Sequence, residues 1–103
     1  MSASFSYKLT TENEQFTFDF SPVLGSTETI SSATCTATVK EGTDPTPSSI
    51  LVGSPAISGS KTTQRISAGL DGVIYRLEMS ATTSLSNIYT IVADLQVISP
   101  TNL

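Results

Sequence analysis

The sequence contains no histidine, no tryptophan and a single cysteine, and only 14% of its 103 residues are charged. Without histidine, neither a Ser-His nor a Cys-His nucleophile pair can form. The one cysteine, Cys35, cannot form a disulfide within the chain and leaves no ligand set for a structural zinc site. We therefore expect no metal and no cofactor, and a fold held together by its apolar core or by a partner chain.

Long apolar runs and clustered positive charge are also missing. No stretch of about 18 apolar residues is present to span a bilayer, and the N-terminal segment lacks the basic and apolar regions of a secretory signal. The five basic residues are scattered and the net charge is −4. The sequence therefore predicts neither membrane insertion nor nucleic-acid binding.

Serine and threonine occupy many of the remaining positions, with 17 Ser and 16 Thr. Threonine is β-branched and suits a half-solvated pleated surface. Apolar and polar residues alternate along four segments, which is the pattern of a strand with one buried face. These segments are 15–20, 28–39, 73–82 and 88–98. In the third of them Tyr75, Leu77 and Met79 share one face, and the opposite face is polar.

Turn residues separate these segments at intervals of roughly ten residues. The clearest loop is 40–49, and a hairpin is predicted around 83–87. Residues 3–9 form either a further strand or part of a loose arm over 1–14. Further short strands are predicted at 50–52, 55–57 and 61–67. The pattern predicts an all-β, immunoglobulin-like antiparallel β-sandwich of about seven strands, formed by residues 1–103 as one domain and without a helix longer than one turn.

Two parts of the chain carry a recognisable order of residues. In "FTFDFSPVLGSTETISSATC" (16–35), an acidic residue, an aromatic and a serine precede an apolar pair and a glycine turn. An acidic residue, Thr, Ile and a Ser-rich strand follow, and the positions are Asp19, Phe20, Ser21, Val23, Leu24, Glu28, Thr29, Ile30, Ser31, Ser32 and Cys35. Together with 68–84 and 88–97, this stretch resembles a family of small tailed-phage virion proteins. The family's tryptophans are replaced here by Phe20, Val23 and Cys35.

The resemblance implies an immunoglobulin-like sandwich in the virion, of the fibre–tail adaptor type. It implies other virion proteins of the tail, fibre or head as partners, a symmetric assembly of many copies, and assembly in the bacterial cytoplasm. Two alternatives are a capsid decoration protein on the phage head and a glycan-binding module on the virion surface.

Few residues are candidates for chemistry. Glu12 and Glu14 are expected on a solvated face, and Asp44 and Asp71 are expected to form turns before Pro45 and Gly72. No Asp-rich calcium loop is present. Cys35 shares a face with Ala33, Ala37 and Val39, so it is expected to be buried, unpaired and inert.

The candidate interface residues are apolar residues at turns. Leu85 lies at the tip of the predicted hairpin among serine, threonine and asparagine, where an apolar side chain gains nothing from water. It either contacts another chain or folds back onto its own strands. Val23 and Leu24, between Pro22 and Gly25, pose the same question at another turn. The row Phe16, Phe18 and Phe20 is expected to pack in the core rather than to hold a ligand such as a sugar.

Overall fold

The computed structural model describes residues 2–103, with side chains from residue 5 onward. Met1, the first residue of the predicted domain, lies outside the described residues. The described part of the chain folds into eight strands and two single 3₁₀ turns, Pro47–Ile50 and Pro100–Asn102. The strands are β1 (Ser2–Ser4), β2 (Lys8–Leu9), β3 (Asn13–Asp19), β4 (Ile30–Glu41), β5 (Leu51–Ser58), β6 (Lys61–Ser67), β7 (Ile74–Thr83) and β8 (Ile88–Ile98).

Two sheets pack face to face. One has the strand order β1-β8-β7-β4, with β2 also paired to β8, and the other has the order β3-β6-β5. Strands β3, β6 and β5 correspond to B, E and D of an immunoglobulin domain, and β4, β7 and β8 to C, F and G. The predicted immunoglobulin-like all-β sandwich is thus confirmed. It measures 47 × 21 × 20 Å.

The N-terminal strands depart from the antiparallel arrangement. Ser2–Ser4 pair with Val92–Asp94, and Lys8–Leu9 pair with Val97–Ile98, in both cases parallel to β8. The chain runs parallel to β8 through β1 and β2, and it then reverses at residues 10–12 to enter β3 in the other sheet. Alternation along the sequence does not reveal this parallel direction.

The core lies between the inner faces of the two sheets. Tyr75, Leu77 and Met79 of β7 are fully buried, and Phe16, Phe18 and Phe20 are at most 6% exposed. The Phe5 ring adds to this cluster, with its centroid 4.9 Å from that of Phe16. The phenylalanine row therefore packs in the core, as the alternation predicted.

A hydrogen-bonded tyrosine lies at the end of the sandwich where β6 leads to β7, which we call the lower end. The Tyr75 hydroxyl accepts a hydrogen bond from the Leu70 amide (2.9 Å) and donates one to the Asp44 carboxylate (2.7 Å). A tyrosine near the start of strand F that bonds to the backbone a few residues upstream is the tyrosine corner of immunoglobulin folds. Burial, together with Asp44, raises the pKa of Tyr75 to about 12.

Lys8 secures the same corner from the N-terminal side. Its side chain is fully buried, and Nζ donates to the carbonyl oxygens of Leu9 (2.8 Å) and Ala68 (2.5 Å). Burial lowers the pKa of this ammonium group, and Glu12 and Glu14 act in the opposite direction. Lys8 is one of the five scattered basic residues of the sequence. In the structure it is buried, and its hydrogen bond to Ala68 connects β2 to the segment between β6 and β7.

Strand β5 joins the two predicted pieces 50–52 and 55–57, but its pairing with β6 is interrupted between Val52 and Ala56. The buried side chain of Gln64 bridges this gap. Its Nε2 donates to the carbonyl oxygens of Val52 (3.3 Å) and Gly53 (3.2 Å). A side-chain amide thus replaces ladder bonds that the irregular strand cannot make.

The prediction that Cys35 is buried is wrong in degree. Cys35 points toward the core but is half-buried and unpaired. The reason is that β4 forms the edge of its sheet, with β7 as its one neighbour, so its inner face is covered less completely than that of β7.

Partial burial is nevertheless enough to raise the pKa of the Cys35 thiol to about 11, from an ordinary value of 9.0. Because the thiolate is the nucleophile, we expect native Cys35 to react with a disulfide reagent at pH 8 roughly 100-fold more slowly than the urea-unfolded chain. The rate should keep rising up to about pH 11. Equal rates for native and unfolded protein would show that the thiol is not shielded.

Candidate assembly surface

The upper end of the sandwich carries the most exposed apolar side chains of the strand connections. We define it as the loop 20–29 between β3 and β4, the turn 59–60, and the hairpin tip 84–87 together with Ile88, the first residue of β8. Leu85 at the tip is 61% exposed, and Ile88 at the start of β8 is 69% exposed. Leu85 therefore does not fold back onto its own strands.

A buried carboxylate fastens the hairpin to the neighbouring loop. Glu28 is 8% exposed and accepts hydrogen bonds from the Gly25 amide (3.0 Å), the Thr83 hydroxyl (2.5 Å) and the Asn87 side-chain amide (2.8 Å). These donors, led by the Thr83 hydroxyl, lower the pKa of Glu28. The carboxylate therefore stays ionised and bonded to both loops at neutral pH.

Thr83 connects Glu28 to the backbone of the exposed Leu85. Its Oγ1 accepts hydrogen bonds from the Leu85 amide (3.3 Å) and the Asn87 amide (3.2 Å) while its proton goes to Glu28. The Ser84 amide also donates to the Thr29 carbonyl (2.8 Å). Leu85 is therefore exposed on a hairpin tip whose backbone is hydrogen-bonded at Ser84, Leu85 and Asn87.

Val23 and Leu24 lie differently from Leu85. Both are half-buried and pack against the core, and both of their amides donate to the Phe20 carbonyl, at 3.0 and 3.3 Å. They form a tight turn whose apolar side chains are divided between core and surface. Through Glu28, this loop and the hairpin that carries Leu85 form one connected surface.

The outer face of β7 is polar at Arg76, Glu78, Ser80 and Thr82, as the alternation over 73–82 predicted. An ion cluster lies on this face, where Asp94 receives Lys40 Nζ at 2.6 Å and Arg76 Nε at 3.3 Å. The Lys40 contact, followed by the Arg76 contact, lowers the pKa of Asp94. Both cationic side chains are 42% exposed, so the pairs contribute little to stability.

The carboxylates singled out in the sequence are separate from one another in the structure. No three or more Cys, Asp or Glu side chains among the described residues converge to hold a metal ion. Asp44 accepts from the Thr46 amide (2.9 Å), as expected of a turn former, and Asp71 accepts from the Ser99 amide (2.7 Å). Glu12 and Glu14 are exposed. Within the described chain, no helix is both apolar and long enough to reach across a bilayer.

Sequence reasoning missed two residues of the upper end. Ile88 falls on the same side of β8 as the polar residues, so the alternation itself could have shown that it is exposed. Glu28 carried no such signal, because its partners Thr83 and Asn87 lie 55 and 59 positions away.

Comparison with known proteins gives one match. The family model described as "Podophage GP4 fiber-tail adaptor protein gp77" matches residues 8–96. This range includes the upper-end loops, the buried Lys8, strands β2 to β7 and most of β8. No curated protein and no solved structure gives a significant match.

Proposed function

The chain belongs to the podophage GP4 fibre–tail adaptor family gp77, and from this premise we propose that its upper end is the surface that docks onto a partner. The protein is a structural component of the phage virion that joins tail and fibre components. Its partners are accordingly other tail and fibre proteins. What remains to be assigned is which part of the sandwich meets them.

The observation that carries the proposal is the fixed exposure of Leu85. Complete burial of a fully exposed leucine contributes about 1.5–3 kcal/mol. Leu85 is 61% exposed, so a partner that covers it would gain a correspondingly smaller part of this free energy. Ile88 adds a second apolar anchor beside a rim of serine, threonine and asparagine. Apolar anchors within a polar rim are typical of protein interfaces. Because Glu28 and Thr83 fix the tip, docking requires little ordering of the loop.

Replacing Leu85 with aspartate tests this assignment. We expect the melting temperature of the isolated protein to change by no more than about 2–4 °C, because substitutions at exposed sites usually alter stability by about 0.5 kcal/mol or less. Incorporation into particles should fall at least about tenfold, since 1.4 kcal/mol corresponds to a factor of ten in binding. Quantitative mass spectrometry of purified virions measures incorporation.

Leu103→Asp is the matched control. Leu103 is 71% exposed and follows the 3₁₀ turn at the lower end, so the same charge is introduced away from the proposed surface. This variant should enter particles normally. Normal incorporation of Leu85→Asp would assign docking to another surface, and a large drop in its melting temperature would mean that Leu85 packs within the domain.

We further propose that the chain acts as a single domain without catalysis, in a symmetric assembly of many copies formed in the bacterial cytoplasm. The absence of histidine and the raised pKa of Cys35 support a non-catalytic role. The net charge of −4 supports the absence of nucleic acid among the partners. Counting copies per particle tests the symmetry, since an adaptor should match the tail in number, whereas a head decoration protein would be present in hundreds of copies.

A further inference from the structure

Strand β3 leaves one edge of the three-stranded sheet open. In constant-type immunoglobulin domains a strand A pairs beside B, in the order A-B-E-D. Here the corresponding N-terminal strands β1 and β2 both pair with β8 in the other sheet, and β3 pairs with β6 alone. The position beside β3 therefore has no strand within the described residues.

The register shows which backbone groups of β3 face this open edge. The Phe20 amide donates to the Ser60 carbonyl (2.9 Å), and these residues continue the β3–β6 register, so they form a hydrogen-bonded pair. Such pairs alternate with non-hydrogen-bonded pairs in an antiparallel ladder. The N–H and C=O groups of Gln15 and Thr17 consequently point away from β6.

A cleft of about 340 Å³ lies along this edge. Phe16 and the side chain of Phe5 lie on its inner side, and Tyr7, 48% exposed, flanks it. The one charged residue that lines it is Glu14, which is exposed. The full lining is Phe5, Ser6, Tyr7, Glu14, Gln15, Phe16 and Thr17. An acidic and aromatic cleft beside unpaired backbone groups suits an extended basic segment.

The edges formed by β5 and β4 are less suited to pairing. Edge strand β5 is interrupted between Val52 and Ala56 and contains Pro55, both of which discourage an added strand. Edge strand β4 has a register shift at each end and lies against β5 and the 3₁₀ turn. Strand β3, by contrast, keeps an unbroken register over all seven residues.

We propose that β3 receives an extended segment of a virion partner as an added strand. Backbone hydrogen bonds to Gln15 and Thr17 supply the pairing, and pockets for alternate side chains supply the selectivity. The segment places small or apolar side chains toward Phe5 and Phe16 and a lysine or arginine near Glu14. A second copy of this chain is a poor occupant, because each copy carries a net charge of −4. The inference rests on the adaptor function. It assigns a second contact surface, the β3 edge, in addition to the upper end.

Thr17→Pro removes the outward amide hydrogen without removing a bond to β6. Proline is tolerated at an edge position whose N–H faces solvent. Thr17→Val is the matched control, because valine keeps both the amide and the preference for a strand. We expect both variants to retain a β-sheet circular dichroism spectrum. Incorporation into virions should fall at least tenfold for Thr17→Pro and remain normal for Thr17→Val.

Hydrogen exchange on the wild-type protein provides a test that does not depend on how the variant folds. The outward amides of Gln15 and Thr17 should exchange more slowly in intact virions than in the isolated protein. Unchanged exchange there, or normal incorporation of folded Thr17→Pro, would overturn the inference. A Thr17→Pro effect limited to self-association, measured by light scattering, would identify a second copy as the occupant and would also overturn it.

The two surfaces are tested separately. Loss of incorporation with Leu85→Asp but not with Thr17→Pro would contradict the added strand and support docking at the upper end. The reverse result would contradict docking at the upper end and support the added strand.

Discussion

Replacing Tyr75 with alanine is expected to lower the free energy of unfolding by about 3–5 kcal/mol, the usual range for a buried aromatic residue. Tyr75 is fully buried, and its ring packs at the corner where β6 leads to β7. Its removal also leaves the Leu70 amide and the Asp44 carboxylate without their hydroxyl partner. For a domain of this size, the melting temperature should fall by about 12 °C or more.

Tyr75→Phe separates the hydroxyl from the ring. We expect it to cost about 1–3 kcal/mol, because two hydrogen bonds are lost and each typically contributes about 0.5–1.5 kcal/mol. Tyr7→Phe, at a site 48% exposed, removes the same hydroxyl and should change stability by only about 0.5 kcal/mol or less. Urea unfolding followed by circular dichroism measures all three variants. If Tyr75→Phe were as stable as Tyr7→Phe, the corner would be held by packing alone.

Lowering the pH is expected to destabilise the protein, in part through Glu28 at the upper end. The pKa of Glu28 is lowered from 4.5 by Thr83, Gly25 and Asn87, so its ionised form is favoured by folding. A carboxyl group with a lowered folded pKa contributes stability above its ordinary pKa and loses that contribution as the pH falls through the folded value. The melting temperature should therefore stay constant near neutrality and decrease progressively below about pH 4.5. Asp19, Asp44 and Asp94, whose pKa values are also lowered, act in the same direction.

Glu28→Gln isolates the contribution of the upper end to this pH dependence. The uncharged amide cannot reproduce the charge-assisted bonds, so we expect a lower melting temperature at pH 7 and a shallower decrease between pH 5 and pH 3. Differential scanning calorimetry across this range compares the two proteins. Parallel curves for wild type and variant would mean that the acid sensitivity comes from the aspartates.

Alternation along the sequence was sufficient to predict the core strands. Tyr75, Leu77 and Met79 repeat every two residues and are buried, and the phenylalanine row does the same in the facing sheet. This works because a strand between core and solvent imposes a period of two on its side chains. The same pattern predicted the polar outer face that carries Arg76.

The remaining features depend on contacts distant in sequence. Lys8 can be buried because the Ala68 carbonyl, 60 positions away, accepts a hydrogen bond from its ammonium group. Cys35 is half-buried because its strand is at an edge, and edge position depends on pairing order rather than on local pattern. The sequence marked Leu85 as anomalous through its polar neighbours, but only the Glu28 and Thr83 contacts explain why the tip is held outward.

The parallel pairing of the first strands also determines how this part of the chain responds to force. Tension that pulls Ser2 upward and Ile98 downward would slide β1 and β2 along β8. The hydrogen bonds of both short strands are then loaded in shear and resist together, whereas strands peeled apart from one end break their bonds one at a time. In a sandwich 47 Å long, we therefore expect this part of the chain to resist extension along β8 better than a strand pair that is peeled apart from one end.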